Sequence, residues 1–451
     1  MLVPGLLCFG FFAWGSNRSG IARGKSDQRI EPLRLAGLPF DYASLRGYYE
    51  SLTENRNAAT WLSFMETLSS ETIREQTKDF PFMGIGPDIP PFNQHWNERQ
   101  RVSAFLDRVQ PTIEQLHEVA ARNHGVCFPG KFESWDTLSS NVQEMRQLSR
   151  ILSLEHAVAI RNGDAEREFN AINSGLGISI ALRSDPHLVS QLVSVALHGM
   201  AAGNLQNSIR HGNLAPDHLH QLRQRLQHFE DYKLQFDQAI NGERVIGMEL
   251  FRNPDMFGFN DQSHAFMRIF AFRHVDRLHY LTMLDQAQQF RNDSLEAFIA
   301  DAQQWNEAVE DKLKGPFFEV LNEYQFTGMI LPPLHGAATA LARQVMRNRL
   351  AITAVAIRQY ERQTGQLPPD LTALVEVGLQ LDQVQPIQGD HFGYRIEDNH
   401  AIIWGYNPLS GSHQAAAGVP DEPPPTDNDG TVDEIQLEQN REWVWLIEPL
   451  R

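Results

Sequence analysis

The sequence predicts a mainly α-helical protein: an elongated helical bundle or α-solenoid-like body, followed by a small α+β module at the C-terminus. Apolar residues recur at helical spacing through the first three quarters of the chain. Two predicted helix starts, Asp164 and Asp185, lie 21 residues apart, a rhythm typical of stacked antiparallel helical hairpins. Only the last quarter carries runs of aromatic and β-branched residues that favour strands.

The helical body is predicted at residues 41–333, after a linker at residues 16–40. Two apolar stripes at helical spacing begin it, the first formed by Trp61, Phe64, Met65 and Leu68 and the second by Val102, Phe105, Leu106, Val109, Ile113 and Leu116. Residues 80–91 between the stripes are rich in proline and glycine, which predicts an irregular connection. Asp164 and Asp185 are the expected N-caps of two later helices, because aspartate accepts hydrogen bonds from the first free N–H groups.

A long amphipathic helix is predicted to end at Thr364. Its apolar face begins at Leu341, and the arginines are placed mostly on the other sides: Arg343, Arg347, Arg349, Arg358 and Arg362. Gly365 favours the left-handed conformation that terminates helices, and two prolines soon after it prevent continuation. Asp370 is then expected to cap a short second helix.

A β-hairpin and one further strand are predicted after these helices. Residues 392–396 and 401–406 are rich in aromatic and branched side chains, and the polar residues 397–399 between them suit a tight turn. Residues 443–447 are expected to return to the same sheet as a third strand. The alanine- and proline-rich stretch at 412–426 predicts a disordered loop.

This order of parts resembles the globular module of the major pseudopilin of type II secretion, which also occurs in long planctomycete-type proteins of unknown function. The residues that carry the resemblance are Tyr360, Thr364, Gly365, Pro368, Leu371, Leu374, Gly389, Tyr394, Arg395, Ile402 to Tyr406 and Asp427 to Gly430. A pseudopilin opens with a basic leader and a long apolar helix, and nothing before Arg343 has that form. The resemblance therefore implies a pseudopilin-like fold at residues 334–451, with a structural role, and no part in pilus assembly.

Residues 1–15 form an apolar run that predicts a signal segment or membrane anchor. Two other interpretations remain, a complete membrane helix and a segment buried in the fold. The run is shorter than the roughly 20 residues that a straight spanning helix needs. Basic residues follow it at Arg18, Arg23, Lys25 and Arg29, and positive charge favours the cytoplasmic side. We nevertheless expect a protein anchored in, or exported to the periplasmic side of, a bacterial cell envelope.

Charge and cysteine content exclude several classes of function. The net charge of −17 disfavours non-specific binding to nucleic acid, whose phosphates would be repelled. The two cysteines, Cys8 and Cys127, allow no thiolate metal cluster, and a stapling disulfide is not expected because Cys8 lies in the apolar run. Cys127 is interpreted as a small buried filler.

An acidic loop near the C-terminus is the predicted metal site, with calcium as the ion. The candidate ligands are Asp427, Asp429, Asp433 and Glu434, and Gly430 supplies a turn among them. Calcium prefers six to eight oxygen ligands, and the resembled pseudopilins bind it through an acidic loop in this region. The alternative is a solvated acidic loop, because the spacing does not match an EF-hand.

No catalytic constellation or cofactor motif stands out in the sequence. It contains no phosphate loop, dinucleotide fingerprint or nucleophile elbow. We therefore expect a non-catalytic protein whose helical body binds a protein partner. The alternative is a hydrolase whose site would lie in residues 249–279, near Glu249, His264 and His274.

The calcium hypothesis predicts a conditional effect of Asp429→Ala. The variant should melt at a lower temperature than the wild type in calcium, because a ligand of the bound ion is lost, and at the same temperature in chelator. Thermal melts under both conditions measure this, and equal destabilisation in both would remove the ion from the interpretation.

Overall fold

The computed structural model describes residues 2–51, 58–92, 94–122, 125–126, 128, 135–252, 273–315, 323–386, 392–397, 399–405 and 444–449. The chain is mainly α-helical, as predicted. Its α-helices are α1 (Leu2–Leu35), α2 (Tyr42–Ser51), α3 (Ala58–Leu68), α4 (Glu71–Thr77), α5 (Arg99–Ala120), α6 (Trp135–Asn162), α7 (Ala165–Leu182), α8 (Leu188–His211), α9 (Pro216–Leu226), α10 (Tyr232–Arg252), α11 (Arg273–Gln288), α12 (Leu295–Leu313), α13 (Thr327–Ile330) and α14 (Leu334–Thr364). Three short 3₁₀ helices (Gln227–Phe229, Leu371–Val377 and Leu381–Val384) and strands β1 (Gly393–Glu397), β2 (His400–Trp404) and β3 (Val444–Ile447) complete the described elements.

The two apolar stripes predicted early in the body are confirmed as the buried faces of α3 and α5. They share one core cluster with α6 and with parts of α7 and α8. The connection at residues 80–91 is irregular, as predicted. Gly84 and Gly86 hold this connection close to the end of α4, because a Cβ on either would lie 2.3 Å from a backbone oxygen, that of Lys78 or Asp79 respectively.

Helices α6, α7 and α8 pack against one another in sequence order. Gly163, with φ of 70°, lies between α6 and α7, and the predicted cap Asp164 accepts a hydrogen bond from the Arg167 N–H at 3.1 Å. The prediction for Asp185 is wrong by two residues. The N-cap of α8 is His187, and Asp185 accepts the N–H of His187 at 3.0 Å because it lies in the turn before the helix.

Helix α14 is the central element of the larger core cluster. It packs against α8, α9, α10 and α12, and its residues are buried along most of its length. Gly365 ends it in the left-handed conformation, with φ of 74°, as predicted. Helix α14 begins at Leu334 after a proline, seven residues before the first residue of the predicted apolar face, Leu341.

The placement of Arg358 on the solvent side of this helix is wrong. Its side chain is buried, donating to the Glu361 carboxylate and to the carbonyl oxygen of Ile209 in α8. An arginine in a periodic sequence looks like a surface residue, but α8 covers this side of the helix. The pairing meets the requirement that a buried guanidinium have hydrogen-bond acceptors.

The predicted hairpin is confirmed, and the third strand joins it. Strand β2 lies between β1 and β3, antiparallel to both, with Tyr394 opposite Ile403 and Ile403 opposite Trp445. Alternate residues of β2 face opposite sides, so Ile403 belongs to the core around α14 while Ile402 packs in a separate small cluster. Asp370 caps a short helix as predicted, although that helix is of the 3₁₀ type.

The domain boundaries predicted from sequence coincide only partly with elements. Residue 334 is the start of α14, yet that helix shares one apolar cluster with α7 to α12. Residues 16–40, expected as a linker, are mostly helical, because α1 continues to Leu35. The loop at 412–426 and Cys127 lie outside the described residues.

Two glycines in and just after α14 provide a matched test of backbone strain. A Cβ at either Gly365 or Gly336 would meet no atom within 4 Å, so the substitution changes only backbone preference. We expect Gly365→Ala to lower the free energy of unfolding by about 1 kcal/mol, because alanine disfavours positive φ. Gly336→Ala should raise it by about 0.5 kcal/mol. Urea denaturation measures both, and equal effects would contradict the assigned helix end.

Candidate functional site

Helix α1 joins the apolar N-terminal run to the body without a break. Its described side chains begin at Asn17, and three of them are buried at a spacing of four residues: Ala22, Ser26 and Ile30. Ala22 packs with Val275 and Ile30 with Leu281, both in α11. This spacing is that of one helix face, so α1 docks on α11 along a single stripe.

Ion pairs flank this stripe. They join Arg18 to Glu323 at 2.8 Å, Arg277 to Asp27 at 3.4 Å, and Arg29 to Asp285. Pairs of this kind near the surface contribute about 0.2–1 kcal/mol each. They therefore set the position of α1 more than they stabilise it, and the docked part of the helix begins at Arg18.

Helices α1 and α11 run parallel, because Ala22 meets Val275 and, further along both, Ile30 meets Leu281. Val275 is the third residue of α11, which starts at Arg273. Helix α11 therefore does not run beside residues 2–15. The apolar run and the docked half belong to one helix but have different neighbours.

A buried line of three polar side chains crosses α5, α6 and α7. His117 Nδ1 lies 2.7 Å from Ser174 Oγ, and His117 Nε2 lies 3.2 Å from Glu155 Oε2. The other Glu155 oxygen accepts from Arg167 at 3.0 Å. Serine, histidine and glutamate in this order are the residue types of a hydrolase triad. Ser174 is only 1% exposed and Glu155 is fully buried, so no substrate reaches the hydroxyl in this conformation.

A second buried line lies between α6, α7 and α8. His156 Nε2 is 2.8 Å from Ser208 Oγ, and Ser208 also hydrogen-bonds Glu168. Burial and the nearby charge of Arg161 lower the pKa of His156 to about 3, while burial raises the pKa of Glu168 to about 7. The histidine is therefore neutral at physiological pH, and the carboxyl is protonated in a large fraction of molecules.

Neither line was predicted from the sequence. A signal was present: Glu155 and His156 interrupt a run of otherwise apolar or small residues from Ile151 to Ile160. Two polar residues within such a run must turn toward polar partners in neighbouring helices.

Two residues of the alternative hydrolase site lie beside arginines. Glu249 lies 3.6 Å from Arg252, whereas His274 is near several arginines, and burial together with their charge lowers its pKa. His264 lies outside the described residues. Asp276, which lies in the same range, pairs with backbone groups. That carboxylate is buried, and it accepts hydrogen bonds from the Phe326 N–H at 2.7 Å and the Thr327 N–H at 3.1 Å at the start of α13.

A cleft of about 590 Å³ opens between the start of α5 and the end of α6. The Arg161 guanidinium lies over the rings of Phe92 and Trp96, 5.6 and 5.3 Å from their centres, and donates to the Pro90 carbonyl oxygen at 2.6 Å. Arg99 donates to the Arg161 carbonyl oxygen at 3.0 Å. Two cationic side chains thus meet at one cleft.

The predicted metal ligands Asp427, Asp429, Asp433 and Glu434 lie outside the described residues, so calcium binding stays a prediction. Among the residues that are described, no group of three or more histidine, cysteine, aspartate or glutamate side chains could hold a metal ion.

Within the described part of the chain, α8 alone has the length and composition to cross a membrane. About half of its most apolar stretch is buried against neighbouring helices (56%), which is typical of a core helix.

The fold defines a mainly α-helical protein with a small three-stranded antiparallel sheet. Comparison with protein-family models, curated proteins and solved structures finds no match for this chain. Its function must therefore be argued from its own residues.

Glu168→Gln tests the buried line at Ser208. Folding moves the pKa of Glu168 from 4.5 to about 7, so the wild type loses stability as pH rises through this interval and does not regain it above pH 7. The variant has no such dependence. We expect it to exceed the wild type by up to roughly 3 kcal/mol at pH 8 and by much less at pH 5.

Urea denaturation at the two pH values measures this difference. Glu114→Gln is the control, because Glu114 is exposed on α5 and its replacement should change stability little at either pH. A Glu168→Gln variant that is less stable than the wild type at pH 8 would show that the carboxylate is well solvated or paired.

Proposed function

We propose that this protein is anchored in a membrane by residues 1–15 and acts, without catalysis, through a helical body that binds a protein partner. The observation that carries the proposal is the continuity of α1, which is apolar in its first half and docked on α11 from Arg18 onward. In this proposal residues 334–451 are structural, in keeping with the burial of α14 in the core.

The apolar half is long enough to enter a bilayer, although it is too short to span one as a straight helix. Fourteen helical residues, 2–15, rise about 21 Å, against about 30 Å for the hydrocarbon core of a bilayer. Each large apolar side chain gains about 1.5–3 kcal/mol on leaving water, and the run contains Leu6, Phe9 and Phe12 among others. The docking of the second half on the body favours a retained anchor over a removed leader.

A partner surface is supported by exposed apolar side chains on the connection before α5. Phe82 is 47% exposed and Ile85 is 88% exposed. Gly84 and Gly86 hold the connection against α4, so these side chains are presented from a fixed backbone. Exposed apolar groups on a fixed loop are typical of contacts between proteins. A role without catalysis is part of the proposal, and the burial of Ser174 and Ser208 is in keeping with it.

Substitution of the apolar half with charged residues tests the anchor. Leu7→Asp combined with Phe11→Asp should release the protein from carbonate-washed membranes, because each charge at the bilayer centre costs about 2.5–3.5 kcal/mol. Ser16→Asp combined with Asn17→Asp is the matched control, with the same charge change beyond the apolar run, and should stay in the membrane. Sedimentation and immunoblotting measure the distribution, and a thermal melt checks that the body stays folded.

A wild-type chain found in the soluble fraction would overturn the anchor. The side of the membrane is tested separately, with alkaline phosphatase fused after Arg451. Activity in cells is expected, because the resemblance to a pseudopilin module supports a periplasmic body. An inactive fusion would place the body in the cytoplasm, as the basic residues Arg23 and Lys25 favour.

A further inference from the structure

The cleft between α5 and α6 has the size of a small-molecule site. Its volume of about 590 Å³ falls in the range of ligand pockets, roughly 300–1,000 Å³. One wall is the first turn of α5 with Arg99 and Ser103, and the opposite wall is the last turn of α6 with Arg161. Phe92 and Trp96 close the base beside Arg161.

Within the described part of the chain, no carboxylate offsets the positive charge in this cleft. Many arginines of this acidic chain have carboxylate partners: Arg18, Arg29, Arg34, Arg101, Arg167, Arg210, Arg244, Arg252, Arg277, Arg291, Arg349, Arg358 and Arg395. Among the described residues, neither Arg99 nor Arg161 has a carboxylate within 4.0 Å, and none lines the cleft. Burial and the charge of Arg99 lower the pKa of Arg161. Arg99 also donates to the Asn162 side chain, and Arg161 donates to the Pro90 carbonyl oxygen, so both guanidinium groups have fixed positions at the cleft. Their combined positive charge favours an anion there.

The start of α5 also faces the cleft, because Arg99, Gln100 and Ser103 line it. The Nε1–H of Trp96 and the Nε–H of Arg161 have no hydrogen-bond partner among the described residues, but both atoms are buried and are not exposed to the cleft. The N-cap of α5, Glu98, makes no side-chain capping hydrogen bond. The first N–H groups of this helix have no intrahelical acceptor, and the positive end of its dipole points the same way.

The remaining lining is polar and includes one titratable side chain, that of His95. Gln94, Asn97, Gln100 and Asn162 place amide groups around the cleft, and Ser103 adds a hydroxyl one helical turn after Arg99. Amides and hydroxyls both donate and accept hydrogen bonds, which is the pattern that recognises hydroxyl groups. Arg161 covers one face of each aromatic ring at the base, and Phe92 also stacks on the His211 ring. Little ring surface is therefore left for a flat aromatic ligand.

We propose that this cleft binds a small hydroxylated organic anion, a sugar phosphate or a sugar acid, with its anionic group held by Arg99 and Arg161. The amide side chains around the cleft contact the hydroxyl groups. The site is independent of the membrane anchor, since every residue that forms it belongs to the body.

Isothermal titration of the full chain in mild detergent tests the site with glucose 6-phosphate, gluconate, inorganic phosphate and glucose. We expect glucose 6-phosphate or gluconate to bind with a Kd below about 1 mM, and glucose not to bind. Arg99→Gln should weaken binding by about tenfold or more. Arg101→Gln is the control, because Arg101 lies two residues further on the same helix and does not line the cleft. Its effect should stay within about twofold.

A second pair of variants keeps both arginines in place. Ser103→Glu adds a carboxylate to the cleft wall and should abolish binding, while Ser103→Ala should largely retain it. Thermal melts confirm that each variant is folded. Absence of binding for every anion at 10 mM, about ten times the expected Kd, would overturn the proposal. So would binding that Arg99→Gln and Ser103→Glu both leave unchanged. Inorganic phosphate binding as tightly as the sugar anions would overturn the recognition of hydroxyl groups.

Discussion

Burial of α14 on nearly all sides is the constraint on which the packing of the body depends. Helices α8, α9, α10 and α12 all pack against it, and several of its polar residues, among them Gln344, Asn348 and Arg358, are buried. Arg358 therefore pairs with Glu361 and donates to the carbonyl oxygen of Ile209. Ile209 lies in the last turn of α8, where carbonyl groups lack intrahelical donors. The Arg358 side chain thus has acceptors for its own N–H groups and also caps a free carbonyl group at the C-terminus of α8.

The interior between α5 and α8 accommodates polar groups by keeping them neutral or paired. His156 is uncharged, and burial shifts Glu168 toward its protonated form. Burying His156, Ser208 and Glu168 therefore costs less desolvation free energy than burying the ionised groups would. Glu155 keeps Arg167 as its partner. Such groups contribute little to net stability, because desolvation offsets most of their attraction. They do specify how α6, α7 and α8 align, since a helix shifted by one turn would leave them without partners.

Local features of this fold could be predicted from the sequence, and features that depend on distant neighbours could not. The stripes of α3 and α5, the cap at Asp164, the helix end at Gly365 and the hairpin follow from residues within a few positions of each other. The burial of Arg358 and the separate roles of Asp185 and His187 follow from which helix lies opposite. A prediction from periodicity places polar residues on the exposed face of a helix. It is therefore wrong for polar residues that are buried and hydrogen-bonded to a polar group of a neighbouring helix.

The same limit applies to the candidate sites. The α5–α6 cleft joins residues more than 60 positions apart, as in the contact between Arg99 and Asn162, and no local pattern indicates that they meet. The acidic loop, by contrast, is visible as a sequence pattern, but Asp427 to Glu434 lie outside the described residues. The docking of α1 was missed because three small or apolar residues four positions apart, among many charged ones, give only a weak periodic signal.

The uninterrupted course of α1 has a mechanical consequence. In a helix without a break each residue is rotated by about 100° from the one before it, so the face shown by residues 2–15 and the face docked on α11 have a fixed rotational phase. The body cannot swivel about its attachment as it could on a flexible tether. Any tilt or rotation of the N-terminal half would therefore move the body with it. Insertion of a single residue before Arg18 would rotate the whole body by about 100°, more than a quarter of a circle, relative to that half.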